Sequence, residues 1–115
     1  MAVDSSPSIS IHITITIDPS KSEAFLEALR PTFEEVIKEP LNASIEVFQD
    51  AMTPGVFRII ENWNTSIEYM TNVQRKKDYY KPYFAAIEPM YLKPLEATVY
   101  NRFQGKEWKS NKERW

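Results

Sequence analysis

Residues Ser10 to Ile17 read Ser-Ile-His-Ile-Thr-Ile-Thr-Ile, an alternation with no interruption. Successive side chains of a strand point to opposite faces, so a period of two in β-branched residues predicts a strand and defines both its sides. Ile11, Ile13, Ile15 and Ile17 share one face. His12, Thr14 and Thr16 share the other.

The chain after this strand divides into further elements. Asp18-Pro19-Ser20 breaks the strand, and Ser20 with Glu23 has the spacing of a capping box, in which each side chain satisfies a free backbone N–H. Phe25, Leu26, Leu29, Phe33, Val36 and Ile37 follow helical spacing. Pro31 lies inside that pattern and is expected to kink or divide the helix, which Pro40 ends. Ala43 to Gln49 predicts a second strand, and Asp50 to Gly55 a turn containing Pro54-Gly55. Val56 to Trp63 predicts a third strand, apolar on both sides and therefore central or doubly covered. Thr65 and Glu68 repeat the capping-box spacing ahead of a helix with Ile67, Met70 and Val73 as its inner stripe. Arg75-Lys76-Lys77 reads as a solvated helix end, where cations suit the helix dipole. Asp78 is expected to cap a further helix with Tyr80, Tyr83, Phe84 and Ile87 on one face, Pro82 in its first turn and Pro89 at its end. Glu96 to Phe103 predicts the fourth strand.

The order strand, helix, strand, strand, helices, strand is α+β. Both helical connections can lie on one face of a four-stranded sheet. The other face still carries apolar side chains, so a homodimer packing two sheets together is the expected assembly. One domain over residues 9–103 accounts for this pattern. Residues 1–8 read as a flexible arm. Residues 104–115 form a tail whose Trp108 and Trp115 would dock on a partner subunit or on the domain's own rim, with fraying as the alternative.

Composition narrows the chemistry. The chain has no cysteine and one histidine, so Cys nucleophiles, Cys-ligated metals and a multi-His metal site within one chain are excluded. Only 2 glycines occur, which argues against a phosphate-cradling loop. A net charge of -2 gives no electrostatic case for nucleic acid or an anionic membrane. No apolar run approaches the ~20 residues needed to span a bilayer. Met1 to Ser10 lacks a basic n-region. The expectation is a soluble cytoplasmic protein that binds neither nucleic acid nor membrane. Aromatic residues, at 13%, are numerous, and tyrosines crowd the stretch from Tyr69 to Tyr91.

Three segments carry a family resemblance. Glu39-Pro40-Leu41-Asn42-Ala43-Ser44-Ile45-Glu46-Val47-Phe48-Gln49-Asp50 resembles the helix-to-strand join of the antibiotic biosynthesis monooxygenase (ABM) domain. Glu61-Asn62-Trp63 is similar to that family's E-x-W signature after the third strand, and Pro82-Tyr83-Phe84 to its later P-x-F segment. The resemblance covers roughly residues 9–103. It implies a ferredoxin-like β-α-β-β-α-β fold whose sheets pair as a dimeric α+β barrel. It further implies cofactor-independent monooxygenases acting on phenolic polyketides in secondary metabolism, alongside relatives that degrade haem or act on quinols. Dehydratases, isomerases and cyclases share the fold. Many members carry His nine residues after the signature Trp; here that position is Asn72. Glu88 falls where haem-degrading relatives keep their axial His, so no haem is expected. Additional residues lie in or near Arg75 to Tyr80.

Cofactor-free oxygenation needs an apolar cavity for a flat electron-rich molecule, a base that helps form its anion, and donors for the developing oxyanion. No cofactor and no metal are then required; the partners are a small aromatic substrate, dioxygen and a second copy of the chain. His12 is the one side chain whose unperturbed pKa lies near neutrality. It is a candidate base, with a structural histidine as the alternative. Asn62 carries donor and acceptor groups and is the second catalytic candidate. Thr14, Trp63, Tyr69, Asn72, Tyr83 and Phe84 are candidates for binding the substrate; for Trp63 and the tyrosines, core packing is the more common role of such residues. Glu61 reads as structural. The same cleft could host a dehydration, isomerisation or cyclisation, or bind a small molecule without turnover.

Overall fold

The computed structural model describes residues 6–103, 105, 107–110 and 112. Strands β1 (Ile9–Thr16), β2 (Asn42–Gln49), β3 (Val56–Trp63) and β4 (Glu96–Asn101) form one antiparallel sheet in the order β2-β3-β1-β4. Helices α1 (Ser22–Ile37), α2 (Ile67–Asn72) and α3 (Tyr80–Ile87) make the two connections. This is the ferredoxin-like α+β arrangement expected from the order of elements.

Register places every side chain. Ile9, Ile11, Ile13 and Ile15 stand opposite Trp63, Glu61, Ile59 and Phe57 of β3. All eight face the helices, because they share one parity of the pleat. Ile45 and Val47 of β2 and Ala97 and Val99 of β4 join the same layer. Ser10, His12, Thr14 and Thr16 stand opposite Asn62, Ile60, Arg58 and Val56, on the side the helices leave open.

The helix side is packed in two apolar groups. Phe25 and Leu29 of α1 and Tyr83 and Ile87 of α3 close over Ile15, Ile17, Phe57 and Ile59. Val36, near the end of α1, closes over Ile9 and Trp63. Full burial of one such apolar side chain stabilises by ~1.5–3 kcal/mol, so these contacts hold α1 and α3 on the sheet. Ile11, Ile45 and Tyr80 border these groups and are half-buried.

Several local expectations are revised. Helix α1 runs from Ser22 to Ile37 with Pro31 inside it, undivided. Phe25 and Leu29 before the proline and Thr32 and Val36 after it are all buried. That packing outweighs the ~3 kcal/mol cost of a proline in a helix interior. Ser20 does not cap α1. The chain enters through a 3-10 turn, Pro19–Lys21, in which Asp18 Oδ1 accepts from Ser20 N at 2.8 Å and Ser20 Oγ at 2.7 Å. Helix α2 is capped by Ser66, whose Oγ accepts from Tyr69 N at 3.1 Å, while Thr65 is buried. Asp78 does not cap α3: Tyr79 occupies that position, and Asp78 pairs with Lys81 on the surface. Strand β2 starts one residue earlier than expected, at Asn42, and β4 stops at Asn101.

The ends of the domain make further contacts. Ser8, placed in the flexible arm, is buried; its carbonyl accepts from Arg102 N at 3.0 Å and its Oγ contacts Asn64 and Arg102. Trp108 is exposed and meets the Phe103 ring edge-on at 6.0 Å. Trp115 lies outside the described residues. Between β2 and β3 the turn closes on Gly55, whose φ of 89° few side chains tolerate. Its carbonyl accepts from Ile17 N at 2.9 Å. No described helix is long and apolar enough to cross a membrane.

Candidate functional site

The two apolar groups do not meet fully. Between the sheet and the helices remains a cleft of about 310 Å³. Its floor is the isoleucine row of β1 with Ile45 and Ile59; its walls include Phe33, Met70, Tyr83 and Phe84. Unfilled apolar volume lowers stability, and a concave apolar site with a few polar groups is the usual form of a small-molecule pocket. Ile67 and Met70 line this cleft and so do not fill a closed core, while Val73 is exposed.

Glu61 is the carboxylate of the cleft. It sits on the central strand β3 between Ile11 and Ile45. Two residues on, Trp63 shares its face and is 0% exposed. The Trp63 indole N–H donates to Glu61 Oε1 at 2.8 Å. The E-x-W spacing thus has a mechanical meaning: alternate strand positions bring a carboxylate and an indole side by side, and the indole holds one oxygen. Burial raises the Glu61 pKa above the ordinary carboxylate range, and the Trp63 bond opposes that only in part. A carboxylate so raised is a stronger base when ionised.

Across the cleft lies a second polar group, built by the segment from Gln74 to Tyr80. Gln74 is 1% exposed, and its Nε2 donates to Tyr79 Oη at 2.6 Å and Tyr80 Oη at 2.9 Å. Tyr79 donates its own proton to Glu39 Oε2 at 2.8 Å, and Lys77 Nζ contacts both Glu39 oxygens at 2.9 and 2.8 Å. Lys77 is therefore an anchoring residue rather than part of a solvated basic run, and Arg75 lines the cleft. Burial pushes the Glu39 pKa up, but the bonds from Lys77 and Tyr79 outweigh it and the net shift is downward. The Glu39 bond raises Lys77 in turn. Burial raises Tyr79, Tyr80 and Tyr83, so all three stay protonated at neutral pH. Tyr80 accepts from Gln74.

The sequence-predicted site residues divide between the two sides of the sheet. Tyr83 and Phe84 line the cleft, and Trp63 lies beneath it in contact with Glu61. His12, Thr14 and Asn62 point the other way. His12 Nε2 lies 2.9 Å from Ser10 Oγ, and its ring packs 4.7 Å from that of Tyr100. Asn62 Nδ2 donates to Ser44 Oγ at 2.9 Å. His12 and Asn62 border a shallow open-face depression with Tyr100 and Phe103. Tyr69 is half-buried and Asn72 exposed at the end of α2; neither lines the cleft. Strand one does feed the cleft, but through its isoleucines. Glu61, which the sequence reading takes as structural, shares its parity with Phe57, Ile59 and Trp63, and that is the signal that puts it on the cleft side. Gln74 carries no comparable signal, because a glutamine beside a basic run looks solvated.

An apolar helix-side cleft holding one carboxylate, on a ferredoxin-like fold, has the form of a small-molecule site. The comparisons with known proteins narrow it. Residues 8–79 match the model of the family described as "Antibiotic biosynthesis monooxygenase". A Pestalotiopsis microspora protein bearing the name "Putative monooxygenase" is 50% identical over 108 residues, spanning 94% of this chain and 90% of that protein. The chain belongs to the antibiotic biosynthesis monooxygenase family. Solved structures named for the same family share the fold. One from Nitrosomonas europaea has 21% identity and a TM-score of 0.76, over 88% of this chain and 95% of that one. One from Caulobacter crescentus has 18% identity and a TM-score of 0.78, over 86% and 92%.

Proposed function

We propose that the protein is a cofactor-independent oxygenase that takes a flat phenolic, polyketide-like molecule into the helix-side cleft. The observation that carries this reading is the pairing of Glu61, held by Trp63, with a largely apolar cavity that Tyr80 also lines. The ring face of such a molecule would pack on the isoleucine floor and against Tyr83 and Phe84. Glu61 would take the proton that converts the substrate into its anion. The anion gives electrons to dioxygen, carbon–oxygen bond formation yields a peroxide, and loss of water leaves a carbonyl. A ring CH₂ plus O₂ thus becomes C=O plus H₂O, with every electron supplied by the substrate. Tyr80 would donate a hydrogen bond to the developing oxygen anion.

His12 and Asn62, the candidates drawn from the sequence, then belong to the open face with Ile60, Phe48 and Tyr100. Phe48 is 41% and Tyr100 51% exposed. Pairing of this face with a second copy is the homodimer that the reading includes, and sedimentation equilibrium tests it.

Oxygen uptake with 1,8-dihydroxyanthrone, with and without a chelator, tests the chemistry. Turnover should survive the chelator, and Glu61→Gln should lower it by ~10²-fold or more. His12→Ala should leave it within about twofold. A folded His12→Ala protein without activity, beside an active Glu61→Gln, moves the base to the open face and overturns the assignment. Conversion of a substrate without oxygen uptake favours a dehydratase, isomerase or cyclase in the same cleft. Tight binding with no conversion favours a non-catalytic binding protein.

A further inference from the structure

We propose that the cleft selects a molecule bearing a carboxylate on the end left at its mouth, and that Arg75 pairs with that carboxylate. The assignment rests on the cleft being the site of the proposed oxygenase. It narrows the substrate class to an aromatic acid rather than a neutral phenol.

The cleft has an open side. Of the residues that line it, Ile67, Thr71, Arg75, Ala97 and Val99 are exposed. The first two belong to α2, Arg75 to the 3-10 turn that follows it, and the last two to the edge strand β4. These five form the mouth. The way in runs across the sheet, because Val99 stands opposite Ile11 and Ile11 opposite Glu61. Two strand spacings place Glu61 about 9–10 Å inward from β4.

The two ends carry opposite charges. Arg75 and Glu61 are the charged residues among those lining the cleft. Lys77 gives its charge to Glu39, whereas Arg75 enters no ion pair among the described residues. An exposed arginine elsewhere would only be solvated. At the mouth of an apolar cleft it stands beside whatever the cleft holds. A guanidinium stays charged at any physiological pH, and its paired N–H donors match the two oxygens of a carboxylate. Thr71, also at the mouth, adds a hydroxyl. Glu61 repels an anion that enters first, so the ring system goes in and the carboxylate stays out. There it remains partly hydrated, and the pair avoids the desolvation cost of a buried one. Opposite charges at the two ends thus fix which way round the molecule lies.

The test compares 4,5-dihydroxyanthraquinone-2-carboxylic acid with the 2-hydroxymethyl compound of the same ring system, which is nearly equal in size and uncharged at that position. Both lack the reactive ring CH₂ of an anthrone, so binding is read without turnover. Binding to the full chain is followed at pH 8 by quenching of tryptophan fluorescence. At ~20 mM salt the acid should bind about fivefold tighter than the alcohol, and at ~500 mM salt less than about twofold tighter. Arg75→Gln should bring the low-salt ratio to about 1 while leaving the affinity for the alcohol within about twofold, and Arg75→Glu should reverse the preference. The salt series on the unaltered chain tests the charge independently of any substitution. Equal binding of acid and alcohol by the unaltered chain, an advantage that salt does not lower, or a ratio unchanged in a folded Arg75→Gln protein overturns the assignment and leaves the oxygenase reading standing. Failure of both compounds to bind refutes the cleft as a phenol site, and the role of Arg75 with it.

Discussion

Replacing Trp63 with phenylalanine removes the N–H that holds Glu61 and leaves a void under the cleft. The bond is 2.8 Å long, from a fully buried indole to a carboxylate that burial already disfavours. A hydrogen bond to a charged group contributes ~1.5–3 kcal/mol, and the smaller ring forfeits about 1–2 kcal/mol of packing. The expected loss is therefore about 3–4 kcal/mol, or a Tm lower by roughly 12–16 °C at about 4 °C per kcal/mol. Urea unfolding at pH 8 measures it. The packing part is separated by a cycle with Glu61→Leu, which removes the acceptor. The coupling between the two changes should be about 2 kcal/mol. The sign of the pH dependence also follows. Trp63 stabilises the charged carboxylate, so its removal raises the Glu61 pKa further. The coupling is then largest above that pKa and shrinks as acid protonates Glu61. A coupling below about 0.5 kcal/mol at pH 8 would mean that the indole only packs, and that the paired Glu and Trp have no electrostatic link.

Glu61→Gln should stabilise the protein at neutral pH. A carboxyl raised on folding costs stability above its folded pKa and costs nothing below its unfolded one, so the gain should vanish on lowering the pH to about 3. Unfolding midpoints at the two pH values check this, and a gain that persists in acid refutes it. Glu39→Ala should cost about 2 kcal/mol, the low end for a charged hydrogen-bonded pair because Lys77 is 33% exposed and partly screened. Glu39 is lowered on folding, so its contribution is present above the unfolded pKa and lost as pH falls through the folded one; a pH-independent cost in urea titrations contradicts that. Gly55→Ala should cost ~2 kcal/mol or more, since φ is 89° and the added Cβ would lie 2.4 Å from the Ile17 carbonyl oxygen. A Tm unchanged within error would show that the turn relaxes.

Elements with strong periodicity were legible in the sequence, because each buries one face. The isoleucine row located β1, the apolar run located β3 at the middle of the sheet, and Phe25, Leu29 and Val36 marked the inner side of α1. Caps were less legible. Ser20, Thr65 and Asp78 have the right chemistry, yet Lys21, Ser66 and Tyr79 hold the positions, because packing shifts each helix start by a residue. The site was divided. Tyr83, Phe84 and Trp63 are found beside the cleft, but His12 drew attention through its intrinsic pKa while its parity points it away from the helices. Glu61 had the parity and lacked the pKa, which only burial changes. Gln74 became visible only through its contacts across the fold with Tyr79 and Tyr80.

The alternation of β1 has a consequence for how such a chain can change. Its odd positions form the floor of the cleft, and its even positions form a separate surface one pleat away. Substitutions at Ile11 or Ile13 and at His12 or Thr14 share no partners across the sheet. Their effects on ligand affinity and on self-association should be separable, each leaving the other property nearly untouched. Under the proposed pairing of the open face with a second copy, a single strand would let ligand preference and subunit pairing drift independently, a freedom that a site built across both faces would not have.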